Sequence, residues 1–549
     1  MQNFDYIIIG SGAAGAIVAN RLASSSDNHS ICVLEAGPAG NNLYSKIPAA
    51  FSKNLQNDKL MWRFSTAPTE QLDGRSVYIP QGKLLGGSTS INGLIYNRGQ
   101  SSDFDHWHAL GNEGWSYQDV LPYFRRSENR LASIANAQDN AKDDHSNQSV
   151  DSQYRGSLGP LQVTDPDRPD PVCDAFIGTM AERGLPAHND YNGASQRGTG
   201  YYQRTIHQGR RVTTAGAFID PVRSNPNLHI QTGVQVAKIL FKDKRAYAVE
   251  TVDGRVLEAK REIILSAGTV NSAKILQLSG VGPGSLLQKF DIPVIHNLAG
   301  VGENFQDHYF VRLSARLKPG SPSLNMQSRG LSLAREVMRW SLRKPSILAL
   351  SPSIAYAFLN SENIDDPQPD LQFVFTPGSY QAGKVYVLDK FPAATCGFTQ
   401  QRPESVGHIR ITGNDPHDIP ELQPNYLDHE VDRRAALQGI KLSREFLRTG
   451  ALANHYEREE VPGSQLQTDD ELLDFARKTG NTGYHLVGTC TMGPESNPMS
   501  VVGSDLKVHG VDGLRVIDAS VMPRVTSSNT CAATMMIGEK GADMILSST

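Results

Sequence analysis

Short runs of aliphatic and β-branched residues, most of them closed by glycine, alternate along this chain with stretches of helical periodicity. Residues 4–9 form such a run, rich in isoleucine, of the kind a strand buried in a parallel sheet requires. It opens into Gly10-Ser11-Gly12-Ala13-Ala14-Gly15, after which Ile17, Val18 and Leu22 recur at helical spacing. Residues 30–34 predict a second strand, ending in Glu35-Ala36-Gly37. Strand, glycine turn, helix and strand make one βαβ unit. Further on, residues 103–128 carry aromatics and predict a helix. Residues 228–256 alternate like a β-meander, and 262–267 predict another buried strand. Residues 371–375 and 408–411 predict strands of a second sheet, and 430–446 and 470–478 predict helices. Residues 132–155 are polar and without apolar periodicity, which predicts a mobile surface insertion. Residues 331–344 place Arg335, Arg339 and Arg343 on one helical stripe with Leu and Trp340 elsewhere, and Pro345 closes the segment. A domain-surface helix is the plainer reading; contact with a membrane surface is the other.

Composition narrows the class. The 549 residues are 39% hydrophobic and 20% charged, enough for large folded domains rather than disorder. The net charge of −4 gives no basic excess for nucleic acid. Five scattered cysteines without a C-x-x-C pair argue against a disulfide framework and a structural zinc, and fit a reduced compartment. The first apolar run is too short and too soon followed by glycine for a leader, and no run approaches a spanning helix. The expectation is a cytoplasmic protein, with peripheral contact at the inner membrane left open.

The glycine turn carries the first chemistry. Gly10 permits a tight turn, Gly12 lets backbone approach a pyrophosphate, and Gly15 lets helix and strand pack closely. With Ala13, Ala14 and Ala36 they frame a dinucleotide site. Glu35, twenty residues after Gly15, is placed to accept from ribose hydroxyls and disfavours a 2′-phosphate. Only one such fingerprint is present, since Gly280-Val281-Gly282-Pro283-Gly284 lacks the third glycine and has a proline where a helix would open. Spacing alone leaves NAD and substrate-reduced FAD both open.

A second cluster follows: Gly82-Lys83-Leu84-Leu85-Gly86-Gly87-Ser88-Thr89-Ser90-Ile91-Asn92-Gly93. Here the chain resembles the glucose–methanol–choline (GMC) oxidoreductases, which use FAD. The likeness continues through Asn97-Arg98-Gly99, Ser266-Ala267-Gly268, Gly300-Val301-Gly302-Glu303-Asn304, Gln306-Asp307-His308, Arg402-Pro403-Glu404-Ser405, Tyr484-His485 and Asn529-Thr530. Nearly the whole chain is covered in the family's order. Within the family, the run Asn92-Gly93-Leu94-Ile95-Tyr96-Asn97-Arg98-Gly99 and the pair Tyr484-His485 resemble the choline dehydrogenase-like bacterial branch. The resemblance implies that Gly86, Asn92, Gly93 and Leu94 line the flavin and its diphosphate, that Val236 lies near the adenine, and that Ala519 and Thr530 return to the cofactor. Ile91 stands where some members carry a flavin-linking histidine, which implies non-covalent FAD. Ala273, Leu486 and Val406 depart from common family residues without touching the proposed chemistry.

His485 with Asn529, 44 residues on, matches the family's catalytic pair. A histidine, with its reference pKa near 6.5, can take the hydroxyl proton of an alcohol while hydride leaves the same carbon for flavin N5. Asn529 would donate to the substrate oxygen. His106, His108 and His308 lack clustered acidic or cysteine partners, so no metal site is expected. The reading is oxidation of a primary alcohol to the aldehyde, with the hydrated aldehyde a further substrate, and with oxygen, a quinone or another carrier as electron acceptor. Choline would need an aromatic cage with a carboxylate; Tyr484 and Trp62 are thin material, so an uncharged alcohol is expected. The alternatives are a hydroxynitrile lyase-like enzyme or a decarboxylase on the same scaffold; for the latter, the family cysteine falls on Thr399, with Cys396 displaced. A non-catalytic flavin scaffold is disfavoured by His485 and Asn529. The expected fold is an α/β Rossmann-like FAD-binding domain (1–160, 205–310 and 480–549) with an α+β substrate domain built on an antiparallel sheet (161–204 and 311–479).

Overall fold

Strand β1 (Gln2–Ile9) turns into helix α1 (Gly15–Ala23) and returns as β2 (Ile31–Glu35), with the helix packed against the two paired strands. The computed structural model describes residues 2–40, 43–131, 151–188, 190–381 and 387–548. β1 pairs in parallel with β2 on one side and with the strand Val256–Leu265 on the other, and Leu228–Thr232 extends the sheet beyond β2. Tyr6, Ile7, Ile8, Ile31, Val33, Ile263 and Leu265 are all at most 1% exposed, as a strand covered on both faces demands. The antiparallel meander Val236–Lys242, Arg245–Thr251 and Val256–Leu265 completes that side. The last half of Val256–Leu265 is paired in parallel with Leu514–Val516, which joins Ile263 to Leu514 and Leu265 to Val516. Helix α1 packs against the helix Cys531–Ser547 over one face.

A second sheet runs in the order Tyr456–Val461, Tyr309–Leu317, Ala393–Gln400, Leu371–Thr376, Ala355–Leu359 and Gly198–Tyr201, all antiparallel. Along Tyr309–Leu317 the pleat sends Val311, Leu313, Ala315 and Leu317 into the core beneath the helix Glu430–Arg448, while Phe310, Arg312 and Ser314 stay half-buried on the other face. That other face roofs the cavity described below.

Three local expectations change. Residues 103–128 form two helices, Ser101–Ala109 and Tyr117–Ser127, parted by Gly111 and Gly114 in left-handed conformations. The strand expected at 408–411 is His408–Arg410, and it pairs only with Glu421–Gln423, not with the second sheet. The basic helix is Gly330–Ser341, so Arg343 lies beyond it with φ +56°. Most of the polar insertion lies outside the described residues, but Arg155 at its end is buried between Glu128 and Asp190 at 2.9 and 2.5 Å.

Candidate active site

The turn from β1 to α1 is held by close backbone packing. Gly10 sits at φ +98°, and a Cβ there would come 2.3 Å from the Ser266 carbonyl oxygen; a Cβ at Gly15 would come 2.1 Å from the Gly10 carbonyl oxygen. Gly12 differs. A Cβ there would meet nothing within 4 Å, so its bare backbone faces open space, with Gly87 close against it. Glu35, at the end of β2, accepts from the backbone N–H of Ser11 at 3.2 Å and of Gly37 at 2.9 Å, and from the Ser11 hydroxyl. Burial raises its pKa, and those three bonds oppose the rise. The carboxylate thus pins the glycine turn as well as facing the cavity.

One cavity of about 1290 Å³ joins this turn to the second sheet. Gly10, Gly12, Ala13, Ala14, Glu35, Ala36, Asn92, Gly93, Leu94, Val236, His485, Ala519, Asn529 and Thr530 all line it. Gly15 and Gly86 do not. Gly15 packs behind the turn, and Gly86 forms the bend (φ +87°) that presents its neighbour Gly87 to the cavity. Asn92 is fixed by Arg211, whose guanidinium donates to the Asn92 side-chain and backbone oxygens, both at 2.8 Å. Burial lowers the Arg211 pKa to about 9. The bare backbones of Gly12 and Gly87, an acid at the end of β2, and a continuous cavity from that acid to His485 fit an extended dinucleotide.

At the far end, five separate segments meet. His308 Nε2 lies 2.9 Å from the Gln401 carbonyl oxygen, His308 Nδ1 lies 2.8 Å from His485 Nδ1, and His485 Nε2 lies 3.0 Å from the Asn529 amide nitrogen. A carbonyl only accepts, so His308 carries its proton on Nε2 and accepts at Nδ1. His485 must then donate from Nδ1, which leaves its Nε2 lone pair facing Asn529 and the cavity. Gln372 donates to the Asn529 side-chain oxygen at 3.2 Å, which turns the asparagine N–H groups toward His485. Burial keeps both rings neutral: it lowers His308 to about 4 and, with His308 beside it, holds His485 well below 6.5. Asp307 accepts from the His485 backbone N–H at 2.7 Å and from Thr482 and Tyr426, and burial raises its pKa to about 6. Tyr484 beside it is held at φ +64°. Sequence reasoning assigns no role to His308, Asp307 or Gln372, although the Gln306-Asp307-His308 run marks the first two.

The GMC oxidoreductase family model matches residues 4–310 with its N-terminal part and 403–538 with its C-terminal part. The chain belongs to the GMC oxidoreductase family. It is 36% identical to an oxygen-dependent choline dehydrogenase of Photobacterium profundum, over 100% of this chain and 93% of that protein. It is 37% identical to a mitochondrial choline dehydrogenase of Mus musculus, over 99% of this chain and 89% of that one. Among solved structures, pyridoxine 4-oxidase from Mesorbium loti superposes with a TM-score of 0.85 at 28% identity, covering 98% of this chain and 99% of that one. A FAD-dependent oxidoreductase from Chaetomium thermophilum gives 0.88 at 26%, covering 100% and 99%. This GMC oxidoreductase is therefore a FAD enzyme that oxidises an alcohol, and the lyase and decarboxylase alternatives are not favoured. Among the described residues no helix is long and apolar enough to cross a membrane, and no cluster of metal-ligating side chains occurs.

Proposed function

We propose that this enzyme oxidises a primary alcohol to the aldehyde on dissociable FAD, with His485 as the base and Asn529 as the donor to the substrate oxygen. The tautomer fixed from the Gln401 carbonyl through His308 supports this reading, because it leaves His485 Nε2 free of a proton where the cavity reaches it. Bound FAD supplies the hydride acceptor. The hydroxyl proton passes to His485 Nε2, and the positive charge that forms is shared through the Nδ1 hydrogen bond to His308. Asn529 has a second N–H to hold the oxygen as it gains alkoxide character. Gly10, Gly12, Ala13, Ala14, Glu35, Ala36 and Val236 would hold the adenosine diphosphate half, and Asn92, Gly93, Leu94, Ala519 and Thr530 the flavin half. Ile91 lines the cavity as an apolar side chain, and His485 is the one histidine among the described lining residues, which supports non-covalent binding.

Anaerobic titration of the yellow protein with a panel of alcohols tests the reading. Bleaching of the flavin band by an alcohol is expected, as is release of the whole flavin on acid precipitation. A flavin that no alcohol reduces in folded protein would sink the alcohol chemistry. Air or an added quinone then identifies the electron acceptor.

The helix Gly330–Ser341 supports a peripheral contact with an anionic membrane surface. Leu331, Val337, Met338 and the adjoining Leu342 are exposed, Arg335, Arg343 and Lys344 flank them, and Leu333, Val337 and Trp340 line the cavity. Sedimentation with phosphatidylserine vesicles should be lost in the Leu331→Glu/Leu342→Glu double variant; protein that stays in the supernatant from the start removes this reading.

A further inference from the structure

We propose that Arg312 selects the substrate, and that the alcohol oxidised here carries a carboxylate held by this guanidinium while its carbinol end lies at His485. The inference rests on the alcohol-oxidation reading above and names the substrate class for that site.

The register of the second sheet places the arginine. Across the cavity face, Phe310, Thr399 and Gln372 form one row, and Arg312, Gly397 and Val374 form the next. The first row is the catalytic one, because Gln372 bonds Asn529. Arg312 stands one two-residue step along, roughly 7 Å of strand. It lines the same cavity as His485. Its position is built rather than incidental. A Cβ at Gly397 would lie 2.4 Å from the Phe310 ring, so the glycine lets that ring lean across, and the Arg312 guanidinium sits 4.8 Å from the ring centre.

Among the described residues its charge is otherwise uncompensated. Arg98, Arg155, Arg444 and Arg515 are each paired with a carboxylate. Arg312 has no hydrogen bond or ion pair among the described residues. The only acids lining the cavity among those residues are Glu35 and Asp518. Glu35 is engaged at the glycine turn, and Asp518 already accepts from the Gly268 backbone and from Ser272 and Ser520. Burial raises the phenols of Tyr380 and Tyr484, and Arg312 is the leading charge opposing the rise at each, so its field reaches the residue next to His485. A half-buried cation with no carboxylate partner among the described residues, at the substrate end, favours an anion there. It works against a quaternary ammonium. So does Trp62, whose ring is covered by the Lys83 ammonium at 4.2 Å. The uncharged substrate expected from composition is replaced by an anionic one.

The test compares 6-hydroxyhexanoate, 1-hexanol, choline and 6-hydroxyhexyl phosphate on the holoenzyme. The hydroxy acid should show the highest kcat/KM and choline the lowest. Arg312→Leu should lower the hydroxy acid to hexanol ratio roughly ten- to a hundredfold, and Arg312→Lys should restore part of it. A merely structural arginine would lower both substrates and leave the ratio alone, which would overturn the proposal, as would a wild-type preference for 1-hexanol. Preference for the phosphate ester would overturn the carboxylate assignment. Hexanoate, which cannot react, should raise the melting temperature of the wild-type holoenzyme and not of the Arg312→Leu variant. That arm decides the anion site even if no alcohol reduces the flavin, in which case the alcohol reading alone has failed.

Discussion

The two ends of the cavity are made in different ways. The end at Gly10, Gly12 and Glu35 is mostly backbone with one carboxylate, built largely on a single contiguous strand–helix–strand unit, and much of its selectivity lies in what glycine leaves out. The end at His485 is made of side chains drawn from four distant segments, with His308 and His485 177 positions apart. In the function proposed above, the first end holds a cofactor shared by a whole family. In the mechanism we propose, the second chooses a substrate and moves a proton, so each group needs its own orienting partner. A lesion at the first end should therefore change flavin content, and a lesion at the second should change turnover of a fully loaded enzyme.

The sharpest break of this division is His485→Ala. Flavin reduction by alcohol should slow by about 10²–10⁴-fold, with bound FAD unchanged in the absorption spectrum; loss of flavin instead would show that the two ends are not separable. Next is Gly10→Ala, whose Cβ has no room beside the Ser266 carbonyl. It should lower stability by more than about 3 kcal/mol and empty the cofactor site, while any flavin retained is still bleached by alcohol. A smaller effect is expected for His308→Leu, which strands the Nδ1–H of His485. The unpaired donor costs about 1–3 kcal/mol, read as a slower reduction step at normal FAD content; His308→Asn, which keeps an acceptor, should recover part of it. A loss equal in both variants would argue that His308 only fills space.

The gentlest probe is pH. Burial holds His485 well below 6.5, so its Nε2 stays unprotonated in mildly acid solution, and the acid limb of kcat/KM should lie below 6.5. Stability carries the same sign. The unfolded chain takes up protons on both histidines near 6.5 while the folded form does so lower, about 4 for His308, so their contribution is whole above 6.5 and is lost as pH falls toward 4. Asp307 opposes them: its folded pKa is raised from 3.8 to about 6, so its contribution is whole below 3.8 and is lost as pH rises through 6. Melting temperatures from pH 7.5 to 5 should fall in wild type and fall less in His308→Asn.

What the sequence made legible follows the same division. β1, the glycine turn, α1 and β2 are contiguous, and their pattern is local, so they can be read directly. His485 and Asn529 are readable through their motif. The partners that orient them are not, because nothing local ties His308 to Gln401 or Gln372 to Asn529. The error at residues 408–411 has the same origin: alternation predicts a strand but not which strand it joins. Gly86 and Gly87 look alike in sequence until the first is seen to make the bend and the second to face the cavity. Arg312 carries no signal at all, since an arginine on a half-exposed strand is ordinary until its row and its lack of a carboxylate partner among the described residues are known.

The pairing of Val256–Leu265 with Leu514–Val516 also sets a timetable. During synthesis, at about 5–20 residues per second, the edge at Ile263, Ile264 and Leu265 waits roughly 10–50 s for its partner to be translated. Until then it is an open, fully apolar ribosome-bound edge of the kind that recruits other strands. Nascent chains that stall in this interval would present that edge to chaperones and to one another, and none of them would yet carry Asn529.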